Sequence, residues 1–231
     1  MAAALRALLK LWRAIFEMKV SILCSSPDHP VNDHLDRWVS DNEGKHVIQI
    51  ARRKEELLGG DILFLISCSE IVRETERQMY ESALVIHASD LPAGRGWSPH
   101  IWSIINGVQD IVVTLLEAED KVDSGAIWHK IPISISADLL SNEINNLLFD
   151  VELELMDFAL DNFDQLQPYE QDSDIKASYN VKRIPEDSRI DLEKNIKSQF
   201  DLMRVCDPVR FPAFFELHGH KYFIRLEKSD D

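Results

Sequence analysis

Between Lys19 and Ile135, short apolar runs recur at close intervals, most of them separated by a stretch with helical spacing, and this alternation constrains the fold more than any other feature. Residues 20–24 (VSILC) are β-branched and apolar and end on Ser25-Ser26-Pro27, after which 31–40 takes helical spacing. Residues 46–51 form a second short strand, 61–67 (DILFLIS) a third that is apolar enough to be covered on both faces, and 84–87 a fourth. Ser98-Pro99 offers a capping residue and a first-turn proline for a helix that runs to Asn106 and closes at Gly107. Residues 111–116 return to strand and 126–135 are extended. The stretch 137–163 is acidic and apolar at helical spacing, a helix or two laid over the sheet with the acidic face in water. Strands separated by helices imply a parallel sheet, so the expected class is α/β with a mainly parallel sheet flanked by helices.

The segment 1–17 is an amphipathic N-terminal extension, with Leu5, Leu8, Leu9 and Trp12 on one helical face and Arg6, Lys10 and Arg13 between them. Such a face suits a partner or a membrane surface, but Met18-Lys19-Val20 reads as the natural start of the domain and makes the preceding residues an appendage. The core is expected over 18–165. Polar 166–179, with Pro168, lacks a core pattern and reads as a linker, which leaves 180–231 as a small C-terminal module. There is no internal repeat.

A chain of 231 residues that is 45% hydrophobic can bury one well-packed core and a smaller appendage. Its 25 basic against 40 acidic side chains give a formal charge of -15, a poor footprint for gripping a long phosphate backbone, so no long nucleic acid is expected as a partner. A small anionic ligand needs only a few cations and amides placed locally. Cys24, Cys68 and Cys206 are odd in number, scattered and free of CxxC spacing, which points to three buried thiols in a reducing cytoplasm and to no metal site. No apolar run approaches the ~20 residues of a membrane-spanning helix. A soluble, cytoplasmic protein without a membrane span is the expectation.

His87 closes a short apolar strand, at the carboxyl end where ligands bind in an open α/β sheet. Alone, such a histidine is more often structural. The loop behind it is rich in turn formers and accessible amides, and the whole run from His87 to Pro99 reads His-x-Ser-x-Leu-Pro-x-x-Arg-Gly-x-x-Pro. It continues through Ile104-Ile105-Asn106-Gly107, a strand, and Val122-Asp123-Ser124-Gly125. This series resembles the active-site region of the folate-dependent formyltransferases, the superfamily of methionyl-tRNA, glycinamide ribonucleotide and sugar N-formyltransferases. The resemblance covers most of 19–227 and implies a Rossmann-like formyltransferase core with a small C-terminal module. Two later segments, Lys182-Arg183-Ile184-Pro185-Glu186-Asp187-Ser188-Arg189-Ile190-Asp191 and Phe211-Pro212-Ala213-Phe214-Phe215, are similar to those following the core in sugar N-formyltransferases. His-Ala-Ser-Asp-Leu-Pro with Gly-Arg-Gly-Trp-Ser-Pro looks closest to the branch acting on pseudaminic-acid-type sugars.

The resemblance implies transfer of a formyl group from 10-formyltetrahydrofolate to a primary amine of an amino sugar, nucleotide-linked or nonulosonic, without a metal; a homodimer is compatible with it. Transfer to an amine requires a neutral amine, stabilisation of an oxyanion and a proton route to the departing folate nitrogen. An imidazole of near-neutral pKa serves the last two needs, and a carboxylate beside it favours its protonated form. His87 is the candidate acid/base and Asp123 the carboxylate, although Asp before Ser-Gly also suits a plain turn. Ser89, Arg95, Gly96, Trp97 and Ser98 would shape the acceptor side. Ser67, Cys68, Ser69 and Ile71 after the third strand, with Leu116, Glu117 and Asp120, would hold the pterin largely through backbone groups. Arg52-Arg53-Lys54 fits a phosphate or a glutamate tail, and fits a solvated cationic face better.

One residue departs from the pattern: the family's Asn two positions before the His is Val85 here. A loop amide, Ser67 or Ser69 are the substitutes open to it. Two alternatives follow: a methionyl-tRNA formyltransferase-like enzyme, disfavoured by charge, and a weakened folate- or sugar-nucleotide-binding homologue.

Overall fold

The structure, a computed structural model, describes residues 17–229; all of the amphipathic extension but Glu17 lies outside them. In chain order the strands and α-helices are β1 (Lys19–Leu23), α1 (Asn32–Asn42), β2 (Val47–Ala51), β3 (Gly60–Leu65), α2 (Glu74–Arg77), β4 (Tyr80–His87), β5 (Arg95–Gly96), α3 (Pro99–Ile105), β6 (Asp110–Glu117), β7 (Ile127–Ser134), α4 (Ser141–Asn162), β8 (Tyr179–Asn180), α5 (Phe200–Arg204), β9 (Ala213–Leu217) and β10 (His220–Ile224). The fold is α/β, with a six-stranded sheet in the order β2-β1-β3-β4-β6-β7 and a small sheet of β9 and β10. The described residues divide into two compact units, one of 17–86, 115–129 and 152–171, the other of 87–114, 130–151 and 172–229.

The first unit holds the parallel strands. β1 lies between β2 and β3, and β3 pairs on with β4, all in parallel. Ile62, Leu63 and Phe64 are fully buried, as a central parallel strand covered on both faces requires. Trp38 of α1 packs edge-on against Phe64, with ring centroids 6.4 Å apart, and its indole N–H donates to Asp157 Oδ1 at 2.6 Å. β4 begins at Tyr80, ahead of the expected Leu84, because register with Gly60 recruits the polar Glu81 and Ser82 into the ladder. Cross-strand pairing, not hydrophobicity, sets that end.

The last strand breaks the expected parallel pattern. Glu117 N–H donates to Ala126 O, and at the other end Ile135 N–H donates to Gln109 O, so β7 runs antiparallel to β6. The connection from Glu117 to Ile127 is shorter than the roughly dozen residues a parallel crossover needs. Gly125 closes this return tightly: a Cβ there would lie 2.1 Å from Glu117 O. Gly125→Ala is therefore expected to cost roughly 3 kcal/mol, a fall in Tm of about 6–12 °C for a chain of this size. A melting curve unchanged by the substitution would refute the close approach.

The acidic stretch forms one helix, α4, and its acidic side is not wholly solvated as expected. Glu152 is 9% exposed, its Oε2 has no hydrogen-bond partner, and burial pushes its pKa up to about 8. Burial also raises the Asp157 carboxyl, against the pull of the Trp38 N–H. In the second unit Ile104, Ile111, Ile135, Ile144 and Val205 form one apolar cluster and Met203, Cys206 and Ala213 another. Arg204 is 2% exposed, yet its guanidinium is engaged by Asp201 at 2.6 Å and by the carbonyls of Ser136 and Leu139 at 3.2 and 3.1 Å. Those partners make the burial of its charge tolerable. Among the described residues no helix is long and apolar enough to cross a membrane.

Candidate active site

His87 is the last residue of β4 and belongs to the second unit, where it is 7% exposed. Its Nε2 lies 2.9 Å from Gly94 O. A carbonyl oxygen only accepts, so Nε2 carries the hydrogen and the lone pair of the neutral ring sits on Nδ1. The loop between them doubles back because Gly94 has φ +73, a left-handed conformation that glycine adopts without cost. Thr114, fully buried in β6, donates its hydroxyl to Ser89 O at 2.7 Å, and Lys130 ties down Asp90 at 2.5 Å and Leu91 O at 2.8 Å. The loop is thus anchored along its length, which a preorganised site needs.

The other acceptor-side candidates share this unit. β5 pairs in parallel with β8: Arg95 N–H donates to Ser178 O at 2.9 Å and Trp97 N–H to Asn180 O at 3.1 Å. Gly96 sits so close to β8 that a Cβ would meet Asn180 O at 2.5 Å. Arg95 is buried and gives Nη1 to the Tyr179 hydroxyl at 3.1 Å. Trp97 is 45% exposed, and Lys182 Nζ stands 4.6 Å from its ring centroid. Ser89 Oγ is sealed from solvent and has no hydrogen-bond partner, the kind of orphan that a bound ligand can satisfy. Ser98 is not the side-chain cap the sequence led us to expect: its backbone is left-handed, φ +45, and its side chain makes no capping bond to α3. His100 of α3 has its Nδ1 sealed and unpartnered; burial, and then the nearby His87, lower its pKa to about 4. It is neutral throughout the physiological range.

The donor-side candidates and Asp123 lie in the first unit. Ser67 and Asp123 have φ of +46 and +55, left-handed conformations that cost a non-glycine residue free energy and concentrate at functional loops. The Gln171 amide donates to Asp123 O at 2.9 Å and Gly125 O at 3.0 Å, fixing the turn from outside the motif. Ser69 N–H donates to Ser25 Oγ at 3.0 Å, and that hydroxyl points at Cys68 Sγ at 3.6 Å. Cys68 is half-buried, not buried like Cys24 and Cys206. Burial raises the thiol pKa of both Cys24 and Cys68. Ile71 is exposed and Leu116 fully buried, so only the backbone of Leu116 can face a ligand. Glu117 accepts the Trp128 indole N–H at 3.3 Å, and Asp120 pairs with Arg77 at 2.9 Å.

The basic run beyond β2 is not a free cationic face. Arg52 Nη1 donates to Asn32 Oδ1 at 2.6 Å and Cys24 O at 3.1 Å, Arg53 pairs with Glu56 at 3.1 Å, and Lys54 Nζ lies 3.7 Å from Glu76. Thr114, in the strand that interrupts the motif, and Gln171, Ser178 and Asn180, beyond it, were invisible to sequence reasoning. Only the folded backbone brings them to the segments they hold.

The sequence profile of the formyl transferase family matches residues 19–160. Methionyl-tRNA formyltransferase of Protochlamydia amoebophila is 27% identical over 174 residues, covering 73% of this chain and 54% of that one, so the chain spans about half the length of the curated relatives it matches. The fold is shared with a sugar N-formyltransferase from a Shewanella species, at TM-score 0.67 and 19% identity over 92% of this chain and 98% of that one. It is shared also with HypX from Aquifex aeolicus in complex with tetrahydrofolic acid, at TM-score 0.75 and 20% identity over 89% and 37% of the two chains. With more than half of its length matched by that profile, and with the His87–Gly125 motif seated on the shared fold, the chain belongs to the formyl transferase family.

Proposed function

We propose that the chain transfers a formyl group from 10-formyltetrahydrofolate to a primary amine of a nucleotide-linked or nonulosonic amino sugar, acting in the cytoplasm. The observation that carries this reading is His87, buried at the carboxyl end of β4 with Nε2 engaged by Gly94 O. With Nε2 donating to that carbonyl, Nδ1 is the atom that takes a proton from the attacking amine and gives it up again. The Gly94 carbonyl gains from each protonation, because its bond to Nε2–H becomes charge-assisted. Asp123 acts with His87 by favouring the imidazolium. On the acceptor side the half-exposed Trp97 is the group able to meet a sugar.

The folate, when bound, supplies the formyl carbon and a nitrogen leaving group. The residues present fit it. The N–H groups of Glu117 and Ala118 are already given to Ala126 O and Ala83 O, at 2.9 and 2.8 Å, so the loop of Leu116, Glu117 and Asp120 offers mainly acceptors. Acceptors suit the amino and ring N–H edge of a pterin.

A net charge of -15 supports a small acceptor over tRNA. The test incubates the protein with 10-formyltetrahydrofolate and a panel of nucleotide-linked and nonulosonic amino sugars beside charged initiator tRNA. Formylated sugar with matching release of tetrahydrofolate is the expected result, whereas formylated tRNA alone would reassign the acceptor. Val85 favours one second reading, a weakened homologue: folate binding without turnover, indifferent to His87→Asn, would establish it.

A further inference from the structure

We propose that Asn180 is a positioning residue for His87, a carboxamide brought from the C-terminal segment. The inference rests on His87 being the catalytic group of the proposed function. Gly94 O receives two N–H donors, His87 Nε2 at 2.9 Å and Asn180 Nδ2 at 3.3 Å. A carbonyl oxygen has two lone pairs, and this one has a candidate donor for each. The adjoining Gly94 N–H is given to Ser178 Oγ at 2.8 Å, so the residue is gripped at both its amide and its carbonyl by side chains only two apart in sequence. There is no slack around it: a Cβ on Gly94 would meet Ser89 Cβ at 3.0 Å and Asn180 Nδ2 at 3.6 Å. The backbone of Asn180 is fixed in turn, since its carbonyl accepts Trp97 N–H at 3.1 Å.

The chemistry gives this clamp a task beyond folding. His87 can accept a proton at Nδ1 repeatedly only if Nε2–H keeps its acceptor in place while the ring alternates between neutral and cationic forms. A peptide carbonyl in a glycine-rich loop would otherwise swing toward solvent, and the ring would lose both its orientation and the charge-assisted bond that stabilises the imidazolium. Asn180 holds the carbonyl without competing for the proton, because an amide N–H does not titrate. A carboxylate in the same place would present acceptors where a donor is needed, so Asn180→Asp keeps the shape and removes the function.

The first readout needs no ligand. In the folded protein the His87 Nε2–H should give a solvent-protected proton resonance, identified by its disappearance in His87→Asn. In Asn180→Asp and Asn180→Ala its exchange with water should quicken at least tenfold, with melting temperature recording that both variants fold. Using the panel sugar that is formylated, kcat should fall about tenfold to thirtyfold in both variants with KM within about threefold, and the acidic limb of the pH–rate profile should move. Unchanged exchange, a loss confined to Asn180→Ala, or a loss carried by KM would overturn the assignment while His87→Asn still abolishes transfer. Transfer surviving in His87→Asn, or no sugar formylated at all, defeats the proposed function instead, and the exchange rate then decides by itself whether Asn180 positions the ring.

Discussion

His87→Asn is expected to lower kcat for formyl transfer about a thousandfold while leaving the fold intact. A positioned acid/base contributes roughly 10²–10⁴ in rate, and asparagine keeps an N–H able to reach Gly94 O without offering a basic ring nitrogen. KM for both substrates should stay within a few-fold, because the groups proposed to bind them, on β5 and on the loops around Ser67 and Leu116, are untouched. Asp123→Asn should cost less, about ten- to a hundredfold, since it removes the charge that favours the imidazolium and not the proton carrier. If the two act as a unit, the double variant is no slower than His87→Asn alone. Additive losses would show that Asp123 has a separate task, such as holding its own strained turn. Single-turnover rates measured at matched temperature, with melting curves for each variant, decide among these outcomes.

The second large effect concerns stability, not turnover. Glu152 has a folded pKa of about 8 against 4.5 in the unfolded chain, raised by burial. Between those values the native state holds a proton that the unfolded state has released, so stability falls as pH rises through the window, by ~1.4 kcal/mol per unit at most. His100 runs the other way. Its folded pKa is about 4 against 6.5 unfolded, so between those values the unfolded state holds the extra proton and stability rises with pH. The two slopes nearly cancel from about 4.5 to 6.5, and above that Glu152 acts alone, so these groups together predict a plateau followed by a decline to about pH 8. Glu152→Gln keeps the shape of the protonated acid and abolishes its titration. Its melting temperature should match the wild type near pH 5 and exceed it increasingly toward pH 8. Parallel curves across that range would show that Glu152 is solvated.

Most of the parallel sheet was legible because its strands are separated by stretches of helical spacing and β3 is apolar on both faces, which a strand open to water on one side would not be. Features decided by partners distant in sequence were not legible. The early start of β4 depends on pairing with Gly60, and the reversal at β7 on the short link closed by Gly125. The motif exposed His87, yet nothing near it announces that its ring is oriented by Gly94, or that Gly94 is gripped from Ser178 and Asn180. Ser98 failed as a cap for a related reason: the turn needed a left-handed residue there, and backbone geometry overrode side-chain preference. Helical spacing on α4 reveals an apolar stripe but not the burial of Glu152, because periodicity carries no information on how deep one position sinks.

The short ladder between β5 and β8 has a consequence for how this protein can be divided. The family profile ends at residue 160, which invites truncation just beyond it or exchange of everything that follows. Yet the backbone at Arg95 and Trp97 is bonded to Ser178 and Asn180, so part of the scaffolding of the loop after His87 is encoded beyond that boundary. A graft that transplants the motif without the Ser178–Lys182 strap carries His87 and leaves behind the side chains that hold Gly94. The minimal transferable cassette is discontinuous, and sequence modularity and chemical modularity do not coincide here.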